Sequence, residues 1–245
     1  MSLSDKTSAC VISDRSLCCV GPATEGGGAR VREAPSAEQG QTAGADARPS
    51  LVQRRKAALR LEISREAVRL FTSQGVTATT GEQIAQAVGI SARTLWRHFP
   101  TKESCVLPLL AAGLDFAMDR LRDWPPETSL LDFFTESCRN GEPSSFTPAI
   151  LDLIRMTSTD PALRAVWLQA HDDALPVIAR LLAQRSGGNA DDLRVRVHAA
   201  TVNGALRAGA EDFARRCADD PEASDGEIVT CLLAALRAAS EGLPY

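Results

Sequence analysis

One tyrosine, three tryptophans and seven phenylalanines leave aromatics at only 4% of this 245-residue chain. No stretch alternates β-branched or aromatic residues with polar ones, so strand-built folds have no support. No run of about 18 apolar residues occurs, which excludes a membrane-spanning helix by length. Asp5, Lys6, Asp14 and Arg15 interrupt any apolar stretch near the start, so no signal peptide is expected there and the expected location is cytoplasmic. The seven cysteines lack CxxC or Cys/His metal spacing. Cys105, Cys138, Cys217 and Cys231 read as small buried residues, whereas Cys10, Cys18 and Cys19 fall in a Gly/Ser-rich stretch where they could oxidise. Three histidines (His98, His171, His198), no HExxH, no Gly-rich phosphate loop and no nucleophile paired with a base leave enzymatic chemistry without a motif. No catalytic residue, metal site or cofactor is expected.

What is present is helix pattern and an uneven charge. Hydrophobic residues make up 44%, enough for one moderate core or two small ones sharing a surface. The net charge is −4, yet residues 51–105 carry nine Lys and Arg against four acids, a local +5. Residues 106–245 carry 13 Arg against 21 acids, a local −8, and the first 50 residues contribute −1. A basic module on an acidic body suits a polyanionic partner, because phosphate neutralisation is local. Arg-rich solvated helix faces would give the same split. Residues 1–48 are rich in Gly, Ser, Ala and Pro without periodicity and are expected to be a disordered extension.

A first helix is expected over Leu51–Gln74, with Leu59, Ile63, Ala67, Leu70 and Phe71 as its apolar stripe and Gly75 at its end. Thr80 with Gln83 forms a capping-box pattern before Ile84, Ala85 and Val88. Gly89 stands where a helix ends with positive φ, and Ser91 is a good N-cap for ARTLWRHF. Small Ala85, Gly89 and then Leu95 match the close crossing of a helix-turn-helix, whose second helix would enter a DNA major groove. Pro100 stops that helix, and Thr101 caps the next, expected over 102–122 and closed by Trp124-Pro125-Pro126. Further helices are expected over 129–139, 145–157, 161–186, 190–209 and 225–240. Asp160-Pro161 supplies a cap with proline at the first helical position. The expected fold is all-α with about ten helices.

The segment RLFTSQGVTATTGEQIAQAVGISARTLWRHFPTKE resembles the N-terminal domain of the TetR family of bacterial transcription regulators. The likeness rests on Leu70-Phe71 before Gly75, Thr79-Thr80, Ile84-Ala85, the Gly89-Ile90-Ser91 turn, Thr94-Leu95 with an aromatic, and Phe99-Pro100-x-Lys102-Glu103. It covers about 55 residues. A fainter likeness, ALRAVWLQAHDDALPVIARLL with a later GALRAG, is similar to members with an acyl-CoA-like sensing domain. Trp96 occupies a slot that is usually tyrosine in the family, and Arg93 precedes Thr94 where a smaller residue is usual. The resemblance implies a helix-turn-helix domain over 49–105 and a helical ligand-binding and dimerisation domain over 106–245.

Arg93, in the first turn of the reading helix, can fork onto guanine or contact phosphate. Ala92 can touch a thymine methyl or simply permit close approach, and Thr94 can bond base or phosphate or back-bond its own helix. Arg97 suits a phosphate clamp, Ser91 lies at the same helix start, and Thr80 and Lys102 are expected phosphate partners. The resemblance places Trp96 and His98 at backbone-contacting positions. Phe116, Trp167 and His171 are expected to line a ligand cavity, ordinary core packing being the alternative. Small residues at Ala199, Ala200, Gly204, Ala205, Ala234 and Ala235 allow either a two-fold dimer or close packing within one chain. The expected function is a ligand-responsive, homodimeric repressor binding double-stranded DNA at an inverted repeat, released by a small-molecule effector, with no membrane partner. The alternatives are a helical sensor or adaptor that no longer binds specific DNA, and an all-α enzyme.

Overall fold

The computed structural model describes residues 50–139, 146–217 and 225–242. Among them are nine α-helices and one short 3-10 segment: α1 (Leu51–Gln74), α2 (Gly81–Val88), α3 (Ala92–His98), the 3-10 turn Glu103–Val106, α4 (Leu107–Asp123), α5 (Leu130–Arg139), α6 (Pro148–Thr159), α7 (Pro161–Ser186), α8 (Leu193–Arg216) and α9 (Asp225–Glu241). The expectations for residues 1–48, including Cys10, Cys18 and Cys19, and for the side chain of Cys138, lie outside the described residues.

Most boundaries follow the local chemistry. Gly75 ends α1 with φ 87°, and Gly89 ends α2 in the left-handed region with φ 76°. Thr80 caps α2 in a full capping box, and Ser91 caps α3 by accepting from Thr94 N. A second capping box, Ser50 with Gln53, opens α1. Asp160 caps α7 through Ala162 N and Leu163 N.

Three expected helices differ, and the one over 145–157 spans Pro148–Thr159. The one over 102–122 is broken into a 3-10 turn and α4, because Pro108 has no N–H for the carbonyl of Ser104, while Leu107 N bonds that oxygen in 3-10 fashion. The one over 190–209 begins at Leu193 and continues to Arg216. Gly209 does not end it. A Cβ there would sit 2.8 Å from Leu232 Cα and 3.0 Å from Cys231 O, so the glycine serves the close crossing of α8 and α9.

One apolar cluster joins Ile63, Ala67 and Phe71 of α1 to Ile84 of α2, Leu95 of α3 and Phe99. It continues across residue 105 into Leu109 and Leu110 of α4, Ile154 of α6, Trp167 of α7, Phe213 of α8 and Ile228 of α9. A second cluster gathers Met118, Phe134, Ile178, Ala199, Leu206 and Leu236. Buried Ser64 of α1 accepts a 3.2 Å hydrogen bond from Leu109 N, satisfying an otherwise orphaned donor at the start of α4. Cys105, Cys217 and Cys231 are buried and form no disulfide among the described residues, and burial pushes Cys105 up to about 12, far from the reactive thiolate. Among the described residues no helix is long and apolar enough to cross a membrane.

Candidate nucleic-acid interface and apolar cavity

The interface is built on α2 and α3, two short helices that could not stand alone and are fixed by their caps and by Leu95, which is fully buried. At the entry to α2, Thr79 donates its hydroxyl to Gly75 O at 2.8 Å. Gln74 Nε2 bonds both Thr79 Oγ1 and Gln83 Oε1 at 3.1 Å, tying the end of α1 to the capping box. Thr80 is exposed; its oxygen accepts from Gln83 N, leaving its hydroxyl proton for an outside acceptor. Ser91 and Thr94 hydroxyls bond each other at 2.9 Å at the start of α3.

Arg93 and Arg97 are exposed and make no ion pair among the described residues. Ala92 and Thr94 beside them are half-exposed. Trp96 is 40% exposed, yet it is also a packing residue. Its six-membered ring lies so close to the first residue of α2 that a Cβ on Gly81 would fall 2.1 Å from Cζ2. Sequence reasoning placed the close crossing at Ala85 and Gly89 and missed Gly81; a glycine at the first helical position was the available signal.

Lys102, expected as a phosphate partner, is engaged within the chain. Its ammonium donates to Val76 O at 2.6 Å, Thr79 O at 2.8 Å and Thr77 O at 3.3 Å, with Glu103 at 3.9 Å. All three donors are spent on the loop between α1 and α2, so the ammonium holds that loop in place. These loop carbonyls find their donor 23 to 26 residues away, a tertiary relationship that left no mark at Lys102 itself.

Arg60, counted before only as one of the basic residues, locks the far end of α3. Its Nη1 donates to His98 O at 3.0 Å and its guanidinium stacks 4.5 Å from the Phe99 ring centroid. His98 is half-buried with Nδ1 enclosed and without a partner. Burial first, then the charges of Arg60, Lys56 and Arg97, lower its pKa below the ordinary 6.5, favouring the neutral ring.

In the body, an apolar cavity of about 70 Å³ lies between α4, α5, α6, α7, α8 and α9. Leu110, Leu114 and Phe116 line it from α4, Ile154 from α6, Trp167 and His171 from α7. All three residues expected at a cavity thus line this one. Trp167 and His171 are also core residues, their rings edge-on with centroids 5.1 Å apart. Asn203 Nδ2 donates to His171 O at 3.2 Å, which leaves its Oδ1 as the acceptor for His171 Nδ1–H at 2.8 Å. Nε2 is then the ring's acceptor. Burial lowers the His171 pKa below 6.5, the Asn203 bond opposing it. No group of His, Cys, Asp and Glu able to hold a metal ion occurs among the described residues.

Residues 63–109 match the family of bacterial regulatory proteins called tetR, and residues 141–244 match the MftR C-terminal domain. The transcriptional regulator TcmR of Streptomyces glaucescens is 32% identical over 152 residues, covering 59% of this chain and 67% of that protein. A protein named as a mycofactocin biosynthesis transcriptional regulator, MftR of Mycobacterium tuberculosis, is 31% identical over 175 residues, covering 68% of this chain and 85% of its own. The transcriptional repressor AcnR of Corynebacterium diphtheriae is 30% identical over 119 residues, covering 47% of this chain and 60% of its own. The chain belongs to the tetR family of bacterial regulatory proteins and is an all-α, DNA-binding transcriptional regulator.

Proposed function

We propose that the chain acts as a homodimeric repressor that binds an inverted-repeat operator through α3 and leaves it when a small apolar effector enters the body cavity. The observation that carries this reading is the exposed Arg93, without an ion pair among the described residues, in the first turn of a helix held rigid at both ends, by Ser91 and by Arg60. A fork presented from the N-terminal turn suits the N7 and O6 acceptors of guanine. Ala92, Thr94, Trp96, Arg97, Thr80, Ser91 and His98 would line the groove and its phosphate walls; Lys102 supports them from behind. The similarity to AcnR, named as a repressor, favours repression over activation.

The body supplies the partner surface and the switch. On α8, Leu193 is 74% exposed and Val197 51% exposed, and Ala200 and Gly204 continue the same stripe at helical spacing. Ala199 and Ala205 face inward instead, so the small residues divide between core and a face suited to a second copy. An effector of ordinary size needs roughly 300–1,000 Å³. The cavity must therefore widen, and α4 forms one wall while its first turn is capped by Ser64 of α1. Displacing α4 would move the helices that carry α3, and the effector would shift the equilibrium by its preference for the widened state. The lining favours an apolar molecule with one neutral hydrogen-bond donor for His171 Nε2.

Footprinting of the purified protein on the DNA upstream of its own gene tests the reading. Two symmetric protected half-sites, about 10–10.5 base pairs apart or a multiple of that, are expected. A single asymmetric site, or no protection, would overturn it.

A further inference from the structure

The first two turns of α1, Leu51–Ala58, bury nothing, although Ser50 and Gln53 close a capping box at their start. Such a stretch has no packing to hold it, so the cap alone maintains helix where the chain gains no core. The face it presents is defined by the buried stripe further along. Phe71, Ala67 and Ile63 point into the core at steps of four. Continued backwards by steps of three and four, the same stripe reaches Arg60, then Lys56 and Gln53. The inward face of α1 thus turns from apolar to basic where the helix runs past the edge of the core.

What lies beside that basic portion is the C-terminal end of α3. Arg60 already bonds His98 O and stacks on Phe99. Lys56 lies one turn further out, about 6 Å along the axis, and its charge reaches the His98 ring, as does that of Arg97. With α3 in a major groove, the surface flanking its end is the sugar-phosphate strand at the groove edge. We infer that the exposed N-terminal end of α1 is a second DNA-contact site, in which Lys56, with Gln53 beside it, binds a backbone phosphate next to the one clamped by Arg97. The inference rests on the DNA-binding reading of α3 and adds a contact outside α2 and α3. Lysine suits the role as a point charge on a long stem, and the contact carries no sequence preference.

Arg65 provides the control. Nine residues from Lys56 places it on the opposite side of α1, exposed and of equal charge. Full-length wild type, Lys56→Ala and Arg65→Ala are titrated by fluorescence anisotropy against a random-sequence duplex of about 30 base pairs from 50 to 200 mM salt. Lys56→Ala is expected to flatten the salt slope by about one per bound protomer and to weaken binding several-fold at low salt. Arg65→Ala should keep the wild-type slope. Equal slopes for wild type and Lys56→Ala overturn the contact, and equal losses in both variants reduce it to general charge. Failure of the DNA-binding reading shows separately, as a wild type that does not bind the duplex at any salt. Both side chains are exposed, and unchanged melting curves check that the fold is intact.

Discussion

The Trp96 indole and the Gly81 backbone occupy one another's van der Waals limit: a Cβ at Gly81 would stand 2.1 Å from Cζ2 and 2.2 Å from Cη2. Only glycine lets the ring lie against the first turn of α2. The same ring remains 40% exposed, so one residue sets the distance between α2 and α3 and still presents an aromatic edge outward.

Gly81→Ala is expected to lower stability by about 1–2 kcal/mol, the cost of overpacking less the better helix propensity of alanine. In a Trp96→Ala background the same change should be neutral or stabilising, because the clash is gone. Urea unfolding of the four proteins of the double-mutant cycle measures the coupling. Identical effects in both backgrounds would mean the ring swings aside freely.

Arg93→Ala should cost about 1–3 kcal/mol of discrimination at one base pair of each half-site while leaving binding to other sequences nearly unchanged. Competition gel shifts with single-base operator variants read this out. A uniform loss across all variants would reassign Arg93 to phosphate.

Lys102→Met keeps the stem and removes the ammonium from three carbonyls. Thermal unfolding should show a loss of roughly 1.5–3 kcal/mol, the range for hydrogen bonds to charged groups. The salt slope of DNA binding should not change if the ammonium serves only the three loop carbonyls. A flatter slope with unchanged stability would restore the phosphate role.

His98 and His171 both have folded pKa values below the ordinary 6.5, His171 chiefly through burial. The unfolded chain therefore takes up protons first as the pH falls. Their contribution is fully present above about pH 6.5 and is lost as the pH drops through the lower folded values. His171→Phe should flatten the fall of unfolding free energy as the pH drops below about 6.5, even though Asn203 loses its partner. An unaltered slope would place the titration elsewhere.

The helix-turn-helix was legible because its signals are local. Thr80 with Gln83, Gly89 at positive φ, and Ser91 act within three or four residues, and each formed the cap its spacing implied. Long-range requirements were not legible. Lys102 sits 26 residues from Val76, whose carbonyl it serves. Arg60 is separated by 38 residues from His98. Gly209 looked like a helix end and is a helix crossing, a distinction that only the position of α9 makes.

The sequence by itself determined the helical class, the caps, the tetR-type module and the charge that separates residues 51–105 from the acidic body. Those properties depend on neighbours along the chain or on composition, which no folding is needed to read. The tertiary structure decided which cations face outward and which are consumed. It also decided that Trp96 packs as well as presents, and that Phe116, Trp167 and His171 line one cavity. Burial and partner choice depend on residues distant in sequence, and only close packing in three dimensions brings them within a hydrogen bond of each other.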